Sequence, residues 1–360
     1  MTRALTDLPI LMTGFPGFLA SHLARELAGR GTAEFHLLVL PGERAAAQRR
    51  LTELSRDIPD LPQRVRLLTG DITRERLGLS PDAYRELCTT VGVVWHLAAI
   101  YDLAVPRDVA FEVNVGGTRQ MLDFCEDCED LARLNYVSTC YVSGDRTGTI
   151  REDELDVGQG FKNHYEETKF WAEVEVQRRS DTIPTTIFRP GITVGDSHTG
   201  ATDKFDGPYY VFGLLERLPE WMPIPNVGRG DARVNIVPID VLVESLAVLG
   251  HDPAHRGQVF HLADPHPMRA REIIRRTLEH MGRKAPAGSV PESWVQKALG
   301  NERLEDWIGV PREALDYFNH PANYDTSLAQ KALAQHGIEF PHLSVYLPTL
   351  LDAFAQRDRD

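Results

Sequence analysis

The sequence predicts an α/β fold in which a doubly wound parallel sheet is followed by a smaller, mostly helical C-terminal lobe. Two observations carry this. In the first half, short apolar β-rich runs alternate with longer helical patterns, which is the signature of βαβ units. Those runs are nearly continuous in apolar residues, as strands covered on both faces must be. The strands expected are Ile10–Thr13, Phe35–Leu40, Val65–Thr69, Val91–Leu97, Leu134–Ser138 and Thr185–Arg189, with helices over Phe18–Arg30, Glu43–Arg56, Pro81–Cys88 and Asn114–Cys128. Composition shifts near Gly191, after which Asp206-Gly-Pro-Tyr-Tyr and Leu218-Pro-Glu-Trp-Met-Pro-Ile-Pro read as loops and short helices. A strand at Val234–Val237 and a helix from Asp240 to Leu249 return to the first pattern. Helices near Met268–Met281, Pro291–Leu299 and Ser327–His336 then form the lobe. The division expected is therefore residues 1–190 with 231–262 in the sheet domain, and 191–230 with 263–360 in the lobe.

Charge and composition narrow the partners. The 360 residues carry 39 Lys plus Arg against 52 Asp plus Glu, a net charge of −13, which opposes binding to a phosphate backbone, so no nucleic acid is expected. The N-terminus lacks the pattern of a signal peptide, and the most apolar long window, Val91 to Val105, is broken by His96 and Asp102. A cytoplasmic protein with no transmembrane segment is expected. Four cysteines, Cys88, Cys125, Cys128 and Cys140, are too few for a disulfide framework. Cys125 and Cys128 have CxxC spacing but no second pair or spaced histidines to complete a zinc site, so no metal is expected. His251, His255, His261 and His266 lack ligand spacing and read as loop histidines. The six basic residues within Met268–Lys284 read as a solvated helix face ahead of a docking site for a CoA phosphate or an acidic carrier protein.

Chemistry first appears at Thr13-Gly14-Phe15-Pro16-Gly17-Phe18-Leu19-Ala20, directly between the first strand and the first helix. Glycines there let the backbone turn tightly and approach a pyrophosphate, whose charge meets the helix N-terminus. The second strand ends Leu38-Val39-Leu40-Pro41-Gly42-Glu43-Arg44, with no acid at the strand end to accept from the ribose 2′-hydroxyl of NAD. Arg44 follows, suited to a 2′-phosphate, so NADP is expected ahead of NAD. Gly70-Asp71-Ile72 suits an adenine edge, and the small residues of His96-Leu97-Ala98-Ala99 let backbone lie along the cofactor.

The strongest constellation is Tyr165-Glu166-Glu167-Thr168-Lys169 preceded by Ser138-Thr139. Positions i and i+4 share a helix face, so the Lys169 ammonium can stand beside the Tyr165 phenol and lower its pKa toward the operating pH. Thr139, at the C-terminal end of a parallel strand, projects its hydroxyl where ligands of such sheets bind.

With these residues together the chain resembles an extended short-chain dehydrogenase/reductase, a Rossmann-type fold. The motifs are TGxxGF from Thr13, GDI from Gly70, HLAA from His96, NVxGT from Asn114, VSTxYVxG from Val137, YxxxK from Tyr165, RPG from Arg189 and VPID from Val237. They span the first 250 residues or so. The segments around Thr139 and Arg189 most resemble the branch of fatty acyl-CoA reductases and carrier-bound thioester reductases, whereas the sequence after Gly200 matches that branch poorly. The resemblance implies Tyr165 as proton donor or acceptor, Lys169 as its electrostatic partner and ribose ligand, and Thr139 as donor to the substrate oxygen. It implies a structural or proton-relay place for Asn114, the nicotinamide against Pro190, Gly191 and Ile192, and a homodimer.

Three function classes follow: an NADPH-dependent reductase of an apolar carbonyl, with an acyl thioester ahead of an aldehyde or ketone; a nucleotide-sugar epimerase or dehydratase with the same Thr/Tyr/Lys set; and a non-catalytic cofactor sensor. The first is preferred. A sensor has no need of Tyr165 and Lys169. The stretch from Phe205 to Pro225, with Phe205, Tyr209, Tyr210, Phe212, Trp221 and Ile224, is apolar where a sugar nucleotide would need many polar groups.

Overall fold

In chain order the strands are Ile10–Thr13 (β1), Phe35–Val39 (β2), Val65–Thr69 (β3), Val93–His96 (β4), Arg133–Val137 (β5), Gly148–Ile150 (β6), Thr185–Pro190 (β7), Ile192–Val194 (β8), Asn226–Val227 (β9), Ile236–Pro238 (β10), Val259–Leu262 (β11), Ser289–Val290 (β12) and Ala322–Tyr324 (β13). The helices are Phe18–Arg30 (α1), Arg44–Leu54 (α2), Leu61–Arg64 (α3), Pro81–Thr90 (α4), Arg107–Ala110 (α5), Gly117–Asp127 (α6), His164–Arg178 (α7), Pro208–Arg217 (α8), Ile239–His251 (α9), Ala270–His280 (α10), Ser327–Ala334 (α11) and Leu343–Gln356 (α12). These come from a computed structural model describing residues 4–101, 105–219, 221–222, 224–227, 230–286, 288–290 and 320–357.

Seven strands form one parallel sheet in the order β3-β2-β1-β4-β5-β7-β11. The chain reverses its winding between β1 and β4, so their C-terminal ends open the crevice in which sheets of this kind bind ligands. Every residue of β1, β2, β4 and β5 is buried, including the polar Arg133 and Asn135 of β5, while edge strand β3 is half-exposed. Side chains of α1, α2 and α9 pack on one face and of α4, α6 and α7 on the other. A third apolar cluster joins α8, α10 and α12. Ala329, Ala332 and Leu333 of α11 pack with the α1 and α9 layer, so the chain returns to the sheet between α10 and α12.

Local differences from the expected elements have local causes. The helix expected from Asn114 begins instead with α5 and a wider π-helical turn over Phe111–Gly116, and only then becomes α6. Such turns insert one residue per turn and re-aim a side chain, here Asn114. The strand expected at Val234–Val237 is β10, two residues later, paired with β8. The stretch 191–230 includes the ten-residue helix α8. The expected helix Pro291–Leu299 lies outside the described residues. Among the described residues, no helix is long and apolar enough to cross a membrane.

The basic residues of α10 are paired within the chain. Arg269 and Arg271 meet Asp231, Arg275 meets Glu279, and Arg276 meets Glu272. Two histidines read as loop residues lie in regular structure: His251 ends α9, and His261 is buried in β11 between Phe260 and Leu262. Apolar neighbours on a strand carry a histidine into the core with them. The four cysteines are free thiols, and burial pushes all of them up.

Candidate active site

The crevice between β1 and β4 is lined by backbone. Gly14 has φ +92, and a Cβ there would stand 3.1 Å from Ala98 N and from Leu97, so only glycine lets the turn lie against the loop after β4. At Gly17 a Cβ would meet the Gly14 carbonyl oxygen at 2.7 Å. Helix α1 starts on Gly17 with no side chain capping it, which leaves its N-terminal N–H groups to an anion. Phe15 is buried, and Phe18 and Leu19 pack on the core, so these residues offer backbone to the crevice. The Pro16 carbonyl accepts from Ser21 Oγ at 2.9 Å, tying the turn to the first turn of α1. This cradle fits the pyrophosphate of a dinucleotide.

A buried chain of hydrogen bonds fixes the cradle's floor. Thr13 Oγ1 accepts from Leu97 N–H at 3.2 Å and Ala98 N–H at 3.1 Å, so its own hydrogen goes to His96 Nδ1 at 2.8 Å. His96 Nε2–H then donates to Thr118 Oγ1 at 3.1 Å, and Thr118 donates to the Asn114 carbonyl at 2.7 Å. Burial pulls His96 down to about 3, with the Lys169 charge adding to the effect, so the ring is neutral as this arrangement needs.

At the ends of β2 and β3, Arg44 Nη1 donates to Leu67 O at 3.2 Å and Thr69 Oγ1 at 3.0 Å, which holds the guanidinium there. Asp71 Oδ1 accepts from Thr73 N–H at 2.9 Å and from its hydroxyl at 2.8 Å, shaping the next loop. Ile72 is buried against Gly117, where a Cβ would come within 2.6 Å of Ile72 Cδ1.

Helix α7 starts on Asn163, whose side chain accepts from Glu166 N–H at 2.9 Å, and its first turns carry Tyr165 and Lys169. Thr139 stands just beyond β5, where its Oγ1 accepts from Tyr141 N–H at 3.3 Å and is hydrogen-bonded to the Tyr165 phenol. Tyr165 and Thr139 are thus brought together. Lys169 behaves differently from the sequence expectation. Its Nζ donates to Val137 O at 2.8 Å and Tyr136 OH at 3.2 Å, over the Tyr136 ring, with no bond to Tyr165. Burial pushes Tyr165 up to about 12, with Glu166 and Asp206 adding to it and the Thr139 hydrogen bond opposing. Burial pulls Lys169 down to about 8, against the charge of Glu173. Desolvation therefore dominates both groups.

Asn114 joins this helix to the cofactor loop. Its Oδ1 accepts from Ile100 N–H at 2.8 Å, and its Nδ2 donates to Ile100 O at 3.0 Å and Thr168 Oγ1 at 2.9 Å. These bonds occupy the amide between the loop containing Leu97, Ala98 and Ala99 and the centre of α7.

The far wall is Pro190 and Gly191. Gly191 N–H donates to Leu262 O at 3.0 Å, Ile192 N–H donates to Asn235 O at 2.9 Å, and a Cβ on Gly191 would meet Asn235 O at 2.9 Å. Behind it lies a set of charges that the sequence reading did not single out. Arg189 and Glu173 form an ion pair of 2.6 Å with side-chain exposures of 1% and 0%. Arg189 Nη1 also donates to His261 Nε2 at 3.1 Å, and His261 Nδ1–H donates to Asp325 O at 2.7 Å. Glu152 accepts from the N–H groups of His261, Leu328 and Ala329, the last two at the start of α11. Glu173 follows Lys169 at i+4, but a carboxylate at that spacing is ordinarily solvated. Its burial shows only when β7 brings Arg189 to it.

The apolar stretch after Gly200 is divided. Tyr209, Phe212 and Leu215 are buried with Phe354 in the lobe core, whereas Phe205 is 38% and Trp221 80% exposed. Lys204 Nζ lies 3.3 Å from the centroid of the exposed Tyr101 ring and 2.5 Å from Asp206 Oδ2.

Residues 12–246 match the family model described as male sterility protein. The glycine betaine reductase ATRR of Emericella nidulans is 31% identical over 75% of this chain and 22% of its own length. The fatty acyl-CoA reductase wat of Drosophila melanogaster is 25% identical over 69% of this chain and 55% of its own. The chain thus spans from about a fifth to just over half of these relatives. Among solved structures, the terminal R domain from the myxalamid PKS-NRPS biosynthetic pathway superposes with a TM-score of 0.83 at 26% identity, covering 99% of this chain and 92% of that one. With the glycine cradle, the seven-stranded parallel sheet and the match over residues 12–246 in agreement, the chain belongs to the male sterility protein family, NAD(P)-dependent oxidoreductases of the extended short-chain dehydrogenase/reductase type and its thioester-reductase branch.

Proposed function

We propose that the protein is an NADPH-dependent reductase of an apolar carbonyl compound, an acyl thioester ahead of an aldehyde or ketone, with Tyr165 as proton donor. The observation that carries this reading is the hydrogen-bonded pair of Thr139 and Tyr165 hydroxyls at the C-terminal end of the sheet. Bound NADPH supplies the hydride. Thr139 donates to the carbonyl oxygen and orients it. Tyr165, held protonated at neutral pH by burial, gives its proton to the oxygen as negative charge develops there, an alkoxide being a stronger base than the phenolate left behind. Lys169 keeps a positive charge near that phenolate. The pyrophosphate is assigned to Thr13, Gly14, Phe15, Pro16, Gly17, Phe18 and Leu19, the adenosine to Arg44, Asp71 and Ile72, and the nicotinamide side to Leu97, Ala98, Ala99, Pro190, Gly191 and Ile192.

NADPH should bind more tightly than NADH, because Arg44 beside Thr69 offers a charge-assisted pair to a 2′-phosphate and no acid opposes it at the strand end. Fluorescence titration of both cofactors on wild type and Arg44→Ala checks this. Equal affinities in the wild type, or an unchanged NADPH affinity in the variant, would reject the assignment.

For the substrate, the exposed Phe205 and Trp221 support an apolar acyl group, while Tyr209, Phe212 and Leu215 are taken by the lobe core. Initial rates with acyl-CoAs of increasing length should show kcat/KM rising with chain length. A flat series together with efficient turnover of a UDP-sugar, without net redox change, would replace this reading with an epimerase.

A further inference from the structure

The buried charges behind the far wall converge on one side chain. Glu173 lies one helical turn beyond Lys169 and two turns beyond Tyr165 on α7, with none of its side chain exposed. Its Oε2 accepts from Ser138 Oγ at 2.5 Å, and Ser138 directly precedes Thr139. Its Oε1 accepts from Arg189 Nη2 at 2.6 Å and Gln177 Nε2 at 3.0 Å, and Arg189 directly precedes Pro190. One carboxylate therefore fastens the end of β5, the end of β7 and the helix that bears Tyr165 and Lys169.

We propose that Glu173 is a positioning residue of the reaction: its charge keeps the buried Lys169 protonated, and its bond to Ser138 sets Thr139 against Tyr165. The mechanistic part rests on the reading given under Proposed function. The electrostatic part rests on Glu173 standing one turn from Lys169 on the same face of α7 with both side chains buried. The Lys169 ammonium is bonded only to neutral oxygens, of Val137 and Tyr136. The titratable groups near it are Tyr136 on β5, His96 on β4 and, on α7 itself, Tyr165, Glu166 and Glu173, of which Glu166 is paired with Lys162 at 2.9 Å and Glu173 holds Arg189 of β7. His96 is neutral, and burial holds the Tyr136 and Tyr165 side chains protonated. Arg189 is a cation bound to the far side of the Glu173 carboxylate. That leaves Glu173 as the anion acting on Lys169, and burial has already drawn Lys169 down to about 8. Removing the anion should discharge the ammonium near neutral pH.

The sequence has six lysines, Lys162, Lys169, Lys204, Lys284, Lys297 and Lys331, so the Cε signals of 13C-lysine-labelled protein can be followed singly by NMR, with Lys169→Arg as the assignment control. The wild-type Lys169 signal should titrate near 8. In Glu173→Gln its midpoint should fall by about one unit or more, the usual scale for losing a close opposite charge. An unchanged midpoint would overturn the proposal. Because Glu173→Gln strands a buried arginine and can fail to fold, Glu173→Gln/Arg189→Met serves as the second variant, with a downward displacement smaller than in the single variant expected because the Arg189 cation leaves with the anion, and no displacement overturning the proposal. With NADPH and a carbonyl substrate, the alkaline limb of the kcat–pH profile should move down by the same amount. Ser138→Ala should lower kcat at unchanged KM without moving that limb. A wild-type enzyme that turns over no carbonyl would defeat the functional reading and leave the NMR result to decide the role of Glu173 on Lys169.

Discussion

Replacing Tyr165 by phenylalanine is expected to lower kcat about 100-fold or more, the scale of a positioned acid–base group, while leaving the fold and the NADPH affinity as they are. The ring fills the same space and loses only the hydroxyl that meets Thr139. The pH dependence has a defined sign. The phenol, raised to about 12, is protonated throughout the neutral range, so Tyr165 itself should impose no loss of donor activity below about pH 11. A decline setting in near pH 8 should therefore follow Lys169 losing its charge. Steady-state rates of both proteins between pH 6 and pH 9 check this. Turnover in the variant equal to wild type would remove Tyr165 from the mechanism.

Asn114→Leu is expected to be strongly destabilising. Leucine branches at Cγ as asparagine does, but it strands the N–H and carbonyl of Ile100 and an acceptor bond of Thr168. Unpaired groups of this kind cost ~1–3 kcal/mol each, so a loss of about 3 kcal/mol of stability is expected. It should appear as a lower urea midpoint at unchanged slope. NADPH affinity should fall too, since Ile100 anchors the loop that carries Leu97 to Ala99. A variant with wild-type stability but abolished turnover would instead restore the proton-relay role that the family resemblance implies for Asn114.

What the sequence shows best is what neighbouring residues encode. The nearly continuous apolar runs of β1, β2 and β4 predict strands buried on both faces, and the glycine turn before α1 is legible because a left-handed Gly14 and a close approach at Gly17 leave few other residues admissible. The Tyr165–Lys169 spacing likewise places both side chains on one turn of α7. The register of α7 against β5 and β7 has no such local signal.

Spacing on one helix says that Lys169 can reach Tyr165. It does not say that a strand carbonyl, Val137 O, lies closer to the ammonium. The titration of both groups is set by how much water is excluded, which depends on elements distant in sequence. His261 and Glu173 give the same lesson: the partners of a histidine among several in one stretch and of a glutamate on a helix are invisible until β7 and β11 pair and bring Arg189 between them. Likewise, the aromatic residues after Gly200 are apolar in the sequence, but only packing against α12 decides that Tyr209 and Phe212 belong to the core while Trp221 remains exposed. The sequence by itself determined the βαβ order, the glycine turn before α1 and the placing of Tyr165 and Lys169 on one helix, because each is written in residues close along the chain. The tertiary structure alone decided their charge states and the ion pair behind them, because desolvation and the partners of a buried charge are properties of the assembled core.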